Sequence, residues 1–461
     1  MTVKIDVLVV LGAGGDLTSR LLLPGLGQLL ASGQADGLTL IGVGQDALSD
    51  DEWRERVTRS FESGAAEGAE PSRVAAQTAW LTADVTDAEG LRSVIAAVDG
   101  TPAFYFALPP AVAVAVVKTM AEIGVPEGTV LALEKPFGTD LASAQAFNAL
   151  LARVVPENSV HRVDHFLGKS TVLNLIGLRF ANRFFEQSWN RDAIERVDIV
   201  FDENLALEGR AGYYDHAGAL VDMIQSHLLQ VLALVAMEPP STLDPDDLRG
   251  SIAQVLRAVR PQDDDPRRSS RRARYTPGTI GGRRLPSYAD EKGVDPENGT
   301  ETLAEMTVTV DNWRWAGVPF TLRSGKALAD RRKEIVVTFR EVPHLPEGLS
   351  GRVGPSRLRL VLGPDRIEFD VAMNGEDDPF QLDQVTLSAE FGAGRLGPYG
   401  EVLSGILSSD PTLSLRADVV EQCWRIVEPV LAVWRNGDVP LEEYPAGSAG
   451  PAAWSAVPPK A

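Results

Sequence analysis

The chain has 461 residues, 44% of them hydrophobic and 23% charged, a balance that belongs to globular proteins long enough for two or three domains. Its 64 acidic side chains against 44 basic ones give a net charge of −20, which argues against non-specific nucleic-acid or anionic-membrane binding, so anionic ligands must be met by local basic clusters. A single cysteine, Cys423, rules out an intrachain disulfide and any multi-thiolate metal site within one chain. No apolar run reads as a membrane span and the first residues lack a signal-peptide layout, so the expectation is a cytoplasmic enzyme without a membrane or nucleic-acid partner.

Residues 5–11 form a continuous apolar run that ends in Gly12-Ala13-Gly14-Gly15-Asp16-Leu17, after which Leu21, Leu22, Leu23, Leu26, Leu29 and Leu30 recur at helical spacing. Strand, glycine turn and helix in that order open a dinucleotide-binding unit. Glycines let the backbone approach a pyrophosphate, and free amides at the helix start meet its charge. The pattern departs from the standard G-x-G-x-x-G, and a glycine turn made for packing would look the same. Further apolar runs at Leu38 to Val43, Trp80-Leu81, Ala103 to Leu108 and Thr129 to Leu133 alternate with helix-like stretches at Asp50 to Ser60, Ala88 to Val98 and Ala111 to Ile123. This predicts an α/β doubly wound (Rossmann-like) N-terminal domain over residues 1–165, with ligands beyond the carboxyl ends of its strands. Those ends are Gly12 to Leu17, Gly44 to Asp46, Asp84-Val85, Leu108 to Pro110 and Glu134 to Gly138.

At the close of that domain stands Arg162-Val163-Asp164-His165-Phe166-Leu167-Gly168-Lys169. Three kinds of cation beside one carboxylate suit a phosphorylated substrate, although a polar loop facing water would have the same composition. After residue 195, alternating segments at Val197 to Phe201, Ala304 to Val310, Glu334 to Phe339, Arg357 to Leu362 and Gln384 to Ala389 predict strands. Residues 166–461 are therefore expected to form an α+β C-terminal domain with a large, mainly antiparallel sheet. A long apolar helix is predicted from Gly218 to Ala236, a closing helix from Ala417 to Trp434, and an irregular tail from Tyr444 onward. The arginine run Arg267 to Arg274 reads as a solvated loop.

Within the apolar helix, Asp222-Met223-Ile224-Gln225-Ser226-His227 carries polar groups. On an α-helix Asp222 and His227 stand about 140° apart and should not pair. A catalytic histidine there needs a carboxylate from elsewhere, for which Asp164 is the candidate; a histidine satisfied within a helix core is the other reading. Glu203 and Lys326 add polar groups to the same supposed cleft, unless Lys326 is only a surface residue after its glycine turn.

Taken together, Gly12 to Leu17, Glu134-Lys135-Pro136-Phe137-Gly138, Arg162 to Lys169, the run from Glu208 through Asp215 to Pro240, and Asp311 to Phe320 resemble glucose-6-phosphate dehydrogenases, in the order that family carries them. The similarity extends out to Tyr444, and R-x-D-H-x-L-G-K with a downstream D-M-x-Q-x-H helix is its specific part. It implies oxidation of the C1 hydroxyl of β-D-glucose 6-phosphate to the 6-phosphoglucono-lactone, the first step of the pentose phosphate pathway. By similarity His227 would be the proton acceptor, His165 and Lys169 would bind the sugar phosphate, Glu203 and Asp222 the sugar hydroxyls, and Lys326 and Arg331 the substrate too. Lys135 would lie between substrate and nicotinamide. Gly12, Ala13, Gly14, Gly15, Asp16, Leu17, Gln45, Asp84 and Val85 would contact the cofactor, and the step needs no metal. A homodimer or homotetramer built through the large sheet is implied as well. A dehydrogenase of another hexose or hexose phosphate, and a non-catalytic regulatory homologue, are the alternatives.

Two departures from the family pattern bear on ligands. Gln45 stands where an arginine usually meets the 2′-phosphate of NADP, and Asp46 follows it. NADP is the family's cofactor, yet an acid there would accept from a ribose 2′-hydroxyl and repel a phosphate, so NAD use is an open expectation. Phe166 replaces a common tyrosine, which predicts weaker substrate binding.

Overall fold

The computed structural model describes residues 4–209, 211–351, 354–375, 377–392 and 394–454, without the side chains of residues 170 and 171. Arg210 and the end of the tail lie outside the described residues. The chain forms two compact units: Met1–Ser170 with Pro240–Ser251 and Gly394–Glu421, and Thr171–Pro239 with Ile252–Ala393 and Gln422–Ala461. The sequence places one boundary at residue 165, whereas the chain returns twice to the first unit.

In the first unit β1 (Val7–Leu11), β2 (Thr39–Gly44), β3 (Ala79–Thr82), β4 (Pro102–Phe106), β5 (Val130–Glu134) and β6 (Val160–Val163) form a parallel sheet in the order β6-β5-β4-β1-β2-β3. Ser414–Leu415 adds a short antiparallel strand beyond β6. Every residue of β1 and β4 is buried, because helices cover both faces; that is why these strands read as unbroken apolar runs. The helix after β1 begins at Asp16, takes a wide π-type turn at Thr18–Leu22 and continues as α1 (Leu23–Ala31). Leu26, Leu29 and Leu30 of α1 share a core with Leu403 and Ile406 of the distant helix Pro398–Leu407. Helix α2 (Asp50–Ser63) starts at a capping box in which Ser49 and Glu52 exchange hydrogen bonds.

The large sheet of the second unit runs Leu382–Glu390, Asp365–Asn374, Arg357–Leu362, Arg332–Phe339, Ile194–Asp202, Phe320–Gly325, Leu303–Val310, Ser270–Thr276, Leu441–Pro445. It is antiparallel except where Phe320–Gly325 pairs with Ile194–Asp202 and Leu441–Pro445 with Ser270–Thr276. Two expectations are corrected here. The arginine run enters a strand: Arg271 lies opposite Glu305 in the register and binds it at 2.5 Å, so carboxylates on neighbouring strands accept charges that composition assigned to water. The tail also begins as a strand, with Tyr444 fully buried and its hydroxyl donating to the Lys326 carbonyl at 2.6 Å.

A third correction concerns the apolar helix. It breaks at Gly218 (φ 64°, ψ 179°) and resumes as a π-helix over Leu220–Leu228, then as an α-helix over Leu229–Ala236. In a π-helix the bond runs from i to i+5, so Asp222 and His227 stand on one face, not 140° apart as an α-helix would set them. By length and composition the 26 residues Ala211–Ala236 could also cross a bilayer, which the sequence reading had denied, but 83% of their most apolar window is buried inside the protein, as for a core helix.

Glu301 holds the break in place. Its carboxylate accepts from the Leu220 amide at 2.9 Å, its carbonyl accepts from the Ala219 amide at 3.3 Å, and a Cβ on Gly218 would lie 2.3 Å from Glu301 Oε1. Burial raises the Glu301 carboxyl to about 7, against the pull of the Leu220 amide. Because the folded value lies above the unfolded one, stability from this group is full below about pH 4.5 and is lost as pH rises through about 7. Urea unfolding of the native chain should therefore lose on the order of 2–3 kcal/mol between pH 5 and pH 7.5 relative to Glu301→Gln; equal slopes would refute this. Gly218→Ala, strained in φ and blocked by the carboxylate, should cost at least about 1–3 kcal/mol in the same assay.

Candidate active site

At the carboxyl end of β1 the chain turns sharply. Gly12 takes φ +81°, and a Cβ on it would fall 2.4 Å from the Ala107 carbonyl, so only glycine fits where β1 passes the end of β4. The amides of Gly12 and Ala13 both bond the Val43 carbonyl, at 2.9 and 3.0 Å, which fixes the turn against β2. Ala13 is buried, while Gly14, Gly15 and Asp16 are exposed and Leu17 is half-buried. β1 and β4 flank the point where strand order reverses, which is where an open α/β sheet receives a dinucleotide. Asp16 does not wait there uncommitted, for it pairs with Arg20 at 3.1 Å.

The neighbouring strand ends are equally ordered. Asp84 accepts from the Thr86 hydroxyl and amide at 2.6 and 2.9 Å and from the Gln45 side chain, bonds that hold its carboxyl below the usual range. Val85 is buried. The Asp46 carbonyl accepts from Trp80 Nε1 at 3.0 Å and Thr82 Oγ1 at 3.2 Å, so the loop after β2 is tethered to β3. At the end of β5 the half-buried Glu134 accepts from Tyr105 and from Tyr399; desolvation holds its carboxyl above its ordinary value, although those bonds and the adjacent Lys135 pull it down. Lys135 is half-buried beside it.

The octapeptide divides its charges. Arg162 is fully buried and structural, donating to Asn148 at 3.1 Å, Glu157 at 2.7 Å and the Leu415 carbonyl at 3.2 Å. Asp164 is buried too, one oxygen accepting from the Phe166 amide at 3.0 Å. His165 stays half-buried, its ring stacked on Tyr399 with centroids 5.8 Å apart. The ammonium of Lys169 sits 4.0 Å above the buried ring of Phe166.

Within the second unit, Glu203 follows the strand Ile194–Asp202 and accepts from Lys326 at 2.9 Å and Lys333 at 3.1 Å. Burial alone would raise the Glu203 carboxyl, but the two ammonium groups outweigh it and hold the carboxyl below its ordinary value. Lys326 lies 5.0 Å over the ring of Tyr214. Asp222 accepts from the hydroxyl of Tyr213, an exposed side chain whose ionisation is pushed up by desolvation about that hydroxyl and by the carboxylate. His227, 1% exposed, shares the π-helix face with Asp222.

Arg331 is exposed, close enough to Lys333 to depress its ammonium further after burial has lowered it. Sequence reasoning named Arg331 and missed Lys333, because the strand read from the sequence began only at Glu334 while the folded strand begins at Arg332. Tyr213 lay within the run Glu208 to Asp215 without being singled out, and Tyr399 had no signal in the sequence, because its partner Glu134 is brought to it only by folding.

Residues 9–174 match the family model described as glucose-6-phosphate dehydrogenase, NAD binding domain, and residues 176–460 the model for its C-terminal domain. A glucose-6-phosphate 1-dehydrogenase of Mycolicibacterium smegmatis is 37% identical over 96% of this chain and 94% of its own length; that of Treponema pallidum is 35% identical over 98% and 93%. Among solved structures, glucose-6-phosphate 1-dehydrogenase from Mycobacterium avium is 33% identical with a TM-score of 0.85, covering 98% of this chain and 96% of that one. A glucose-6-phosphate dehydrogenase in complex with its substrate glucose 6-phosphate is 28% identical with a TM-score of 0.89, covering 98% and 97%. With a nicotinamide dinucleotide-binding domain and a mainly antiparallel second domain both matched over nearly their whole length, the chain belongs to the glucose-6-phosphate dehydrogenase family.

Proposed function

We propose that the chain oxidises β-D-glucose 6-phosphate at C1 to 6-phospho-D-glucono-1,5-lactone, the first step of the pentose phosphate pathway, in the cytoplasm. The observation that carries this reading is the polar set of the second unit: Glu203 fixed by two ammonium groups, with Asp222 and a buried His227 on one helix face. Carboxylates prepared in this way accept from sugar hydroxyls without spending order on themselves, so Glu203 and Asp222 hold the sugar, joined by Lys326 and Arg331. His227, as a neutral imidazole, takes the C1 hydroxyl proton, and Asp164 is its orienting carboxylate and stabilises the cation formed. His165 and Lys169 meet the phosphate dianion, a role supported by their keeping a charge or ring edge outside the core while Arg162 and Asp164 do not.

The glycine turn Gly12 to Leu17, with Gln45, Asp84, the Val85 backbone and Lys135, would hold a nicotinamide dinucleotide. That group, when bound, supplies the hydride acceptor. We infer NADP as the cofactor, the family's default, with NAD as the second because position 45 lacks an arginine. A homodimer or homotetramer through the large sheet is supported by Met373 and Leu387, half exposed on its outer strands. Light scattering should then give a mass at least twice 49.6 kDa; a monomer would count against this assembly.

The direct test is reduction of NADP and NAD by the purified chain with glucose 6-phosphate. Faster turnover of free glucose would point to a hexose dehydrogenase, and no reduction to a regulatory homologue. His227→Ala should lower kcat by about 10²–10⁴ with little change in KM. If Asp164 acts through His227, Asp164→Asn should add almost nothing in the His227→Ala background; full additivity would separate the two. Phe166→Tyr should lower the KM for the sugar phosphate roughly 2- to 10-fold, and an unchanged or raised value would refute the loss attributed to that hydroxyl.

A further inference from the structure

A cavity of about 590 Å³ opens beside the glycine turn, walled on one side by Gly14, Gly15 and Ser19 and on the other by Arg56, Arg59 and Ser60 of α2. Residues 56, 59, 60 and 63 recur at three and four, so one face of α2 lines it. Arg59 belongs to an exposed pair with Glu55 at 3.8 Å, and Arg54 pairs with Asp50 and Asp51. Arg56 makes no close ion pair among the described residues, although its charge reaches Glu52 one turn earlier in α2. Its Nη1 reaches across to the Gly14 carbonyl at 3.2 Å, which pins a full positive charge, half-buried, at the glycine turn. A Cβ on Gly14 would lie 3.1 Å from Asp46 Oδ2 and 3.7 Å from Arg56 Nη1, so the acid and the guanidinium flank the same residue without closing on each other. Gln45, meanwhile, is turned to Asp84.

We infer that Arg56 is the specificity-determining residue for the adenosine 2′-phosphate, supplying from α2 the cation that position 45 lacks, with Asp46 opposing it. The inference rests on the dinucleotide reading above. It follows from what each ligand would meet. A 2′-phosphate at the turn finds a guanidinium that is held in place by a backbone bond and has its remaining donors available. A plain ribose finds Asp46, which accepts from a 2′-hydroxyl. One site thus offers an anchor to each dinucleotide, and the balance between Arg56 and Asp46 sets the preference.

Calorimetric titration with 2′,5′-ADP and 5′-AMP tests this without turnover, since the two probes differ only in the 2′-phosphate. The native chain should bind 2′,5′-ADP the more tightly, and Arg56→Ala should weaken it about 10- to 100-fold, closing the gap between the probes. Arg56→Gln keeps an N–H donor for the Gly14 carbonyl and loses the charge; it should lose the preference equally, which separates recognition from a disturbed turn. Asp46→Asn should tighten 2′,5′-ADP and weaken 5′-AMP. A preference that survives both Arg56 variants, or is absent from the native chain, overturns the role of Arg56 while the dinucleotide reading stands. Failure of both probes to bind overturns the two together.

Discussion

Arg162, Arg179 and Glu203 each carry a full charge into a place where water is scarce, and each is met by partners remote in sequence. Desolvation makes an unmatched charge untenable, so every such residue dictates where its partners' elements must lie. Arg162 ties the end of β6 to the Leu415 carbonyl, and Arg179 reaches the Leu234 carbonyl and Glu186. Glu203 gathers two lysines from the strand pair that brackets it. The polar cluster of the second unit is therefore part of what holds its sheet in register, as well as a surface for hydroxyl groups.

Much of this was legible in the residues. The apolar runs that became β1, β2, β4 and β5 are buried on both faces, and such strands announce themselves by composition alone. Strands whose partners neutralise their polar residues do not. Ser270–Thr276 carries three arginines and reads as solvent-exposed until Glu305 and Glu443 appear beside it. The π-helix was hidden for a different reason: Leu220–Leu228 has an apolar rhythm that an α-helix would share, and the wider turn depends on Gly218 and on the Glu301 carboxylate, 81 residues beyond Leu220. The change of one backbone hydrogen-bond pattern moved His227 onto the face of Asp222, which side-chain spacing could not disclose.

At the dinucleotide end the sequence was informative about shape and silent about charge. Gly12 is demanded by a carbonyl 2.4 Å from where its Cβ would stand, and the glycine run reveals that demand directly. The cation at the same place comes from α2, eleven positions beyond Gln45, and only the packing of α2 beside the turn brings Arg56 to the Gly14 carbonyl. Position-by-position reading of a motif misses replacements made from a neighbouring element.

The return of Gly394–Glu421 to the first unit limits how this protein can be taken apart. Leu403 and Ile406 complete the core against α1, Ser414–Leu415 extends the sheet past β6, and Tyr399 lies against His165. A chain severed at the boundary between its two matched family regions, near residue 175, would leave the nucleotide-binding half with an uncovered apolar stripe and an open sheet edge. The nucleotide-binding unit is therefore complete only with a helix and a strand encoded far downstream of residue 174, so the two matched regions are not separable folding units.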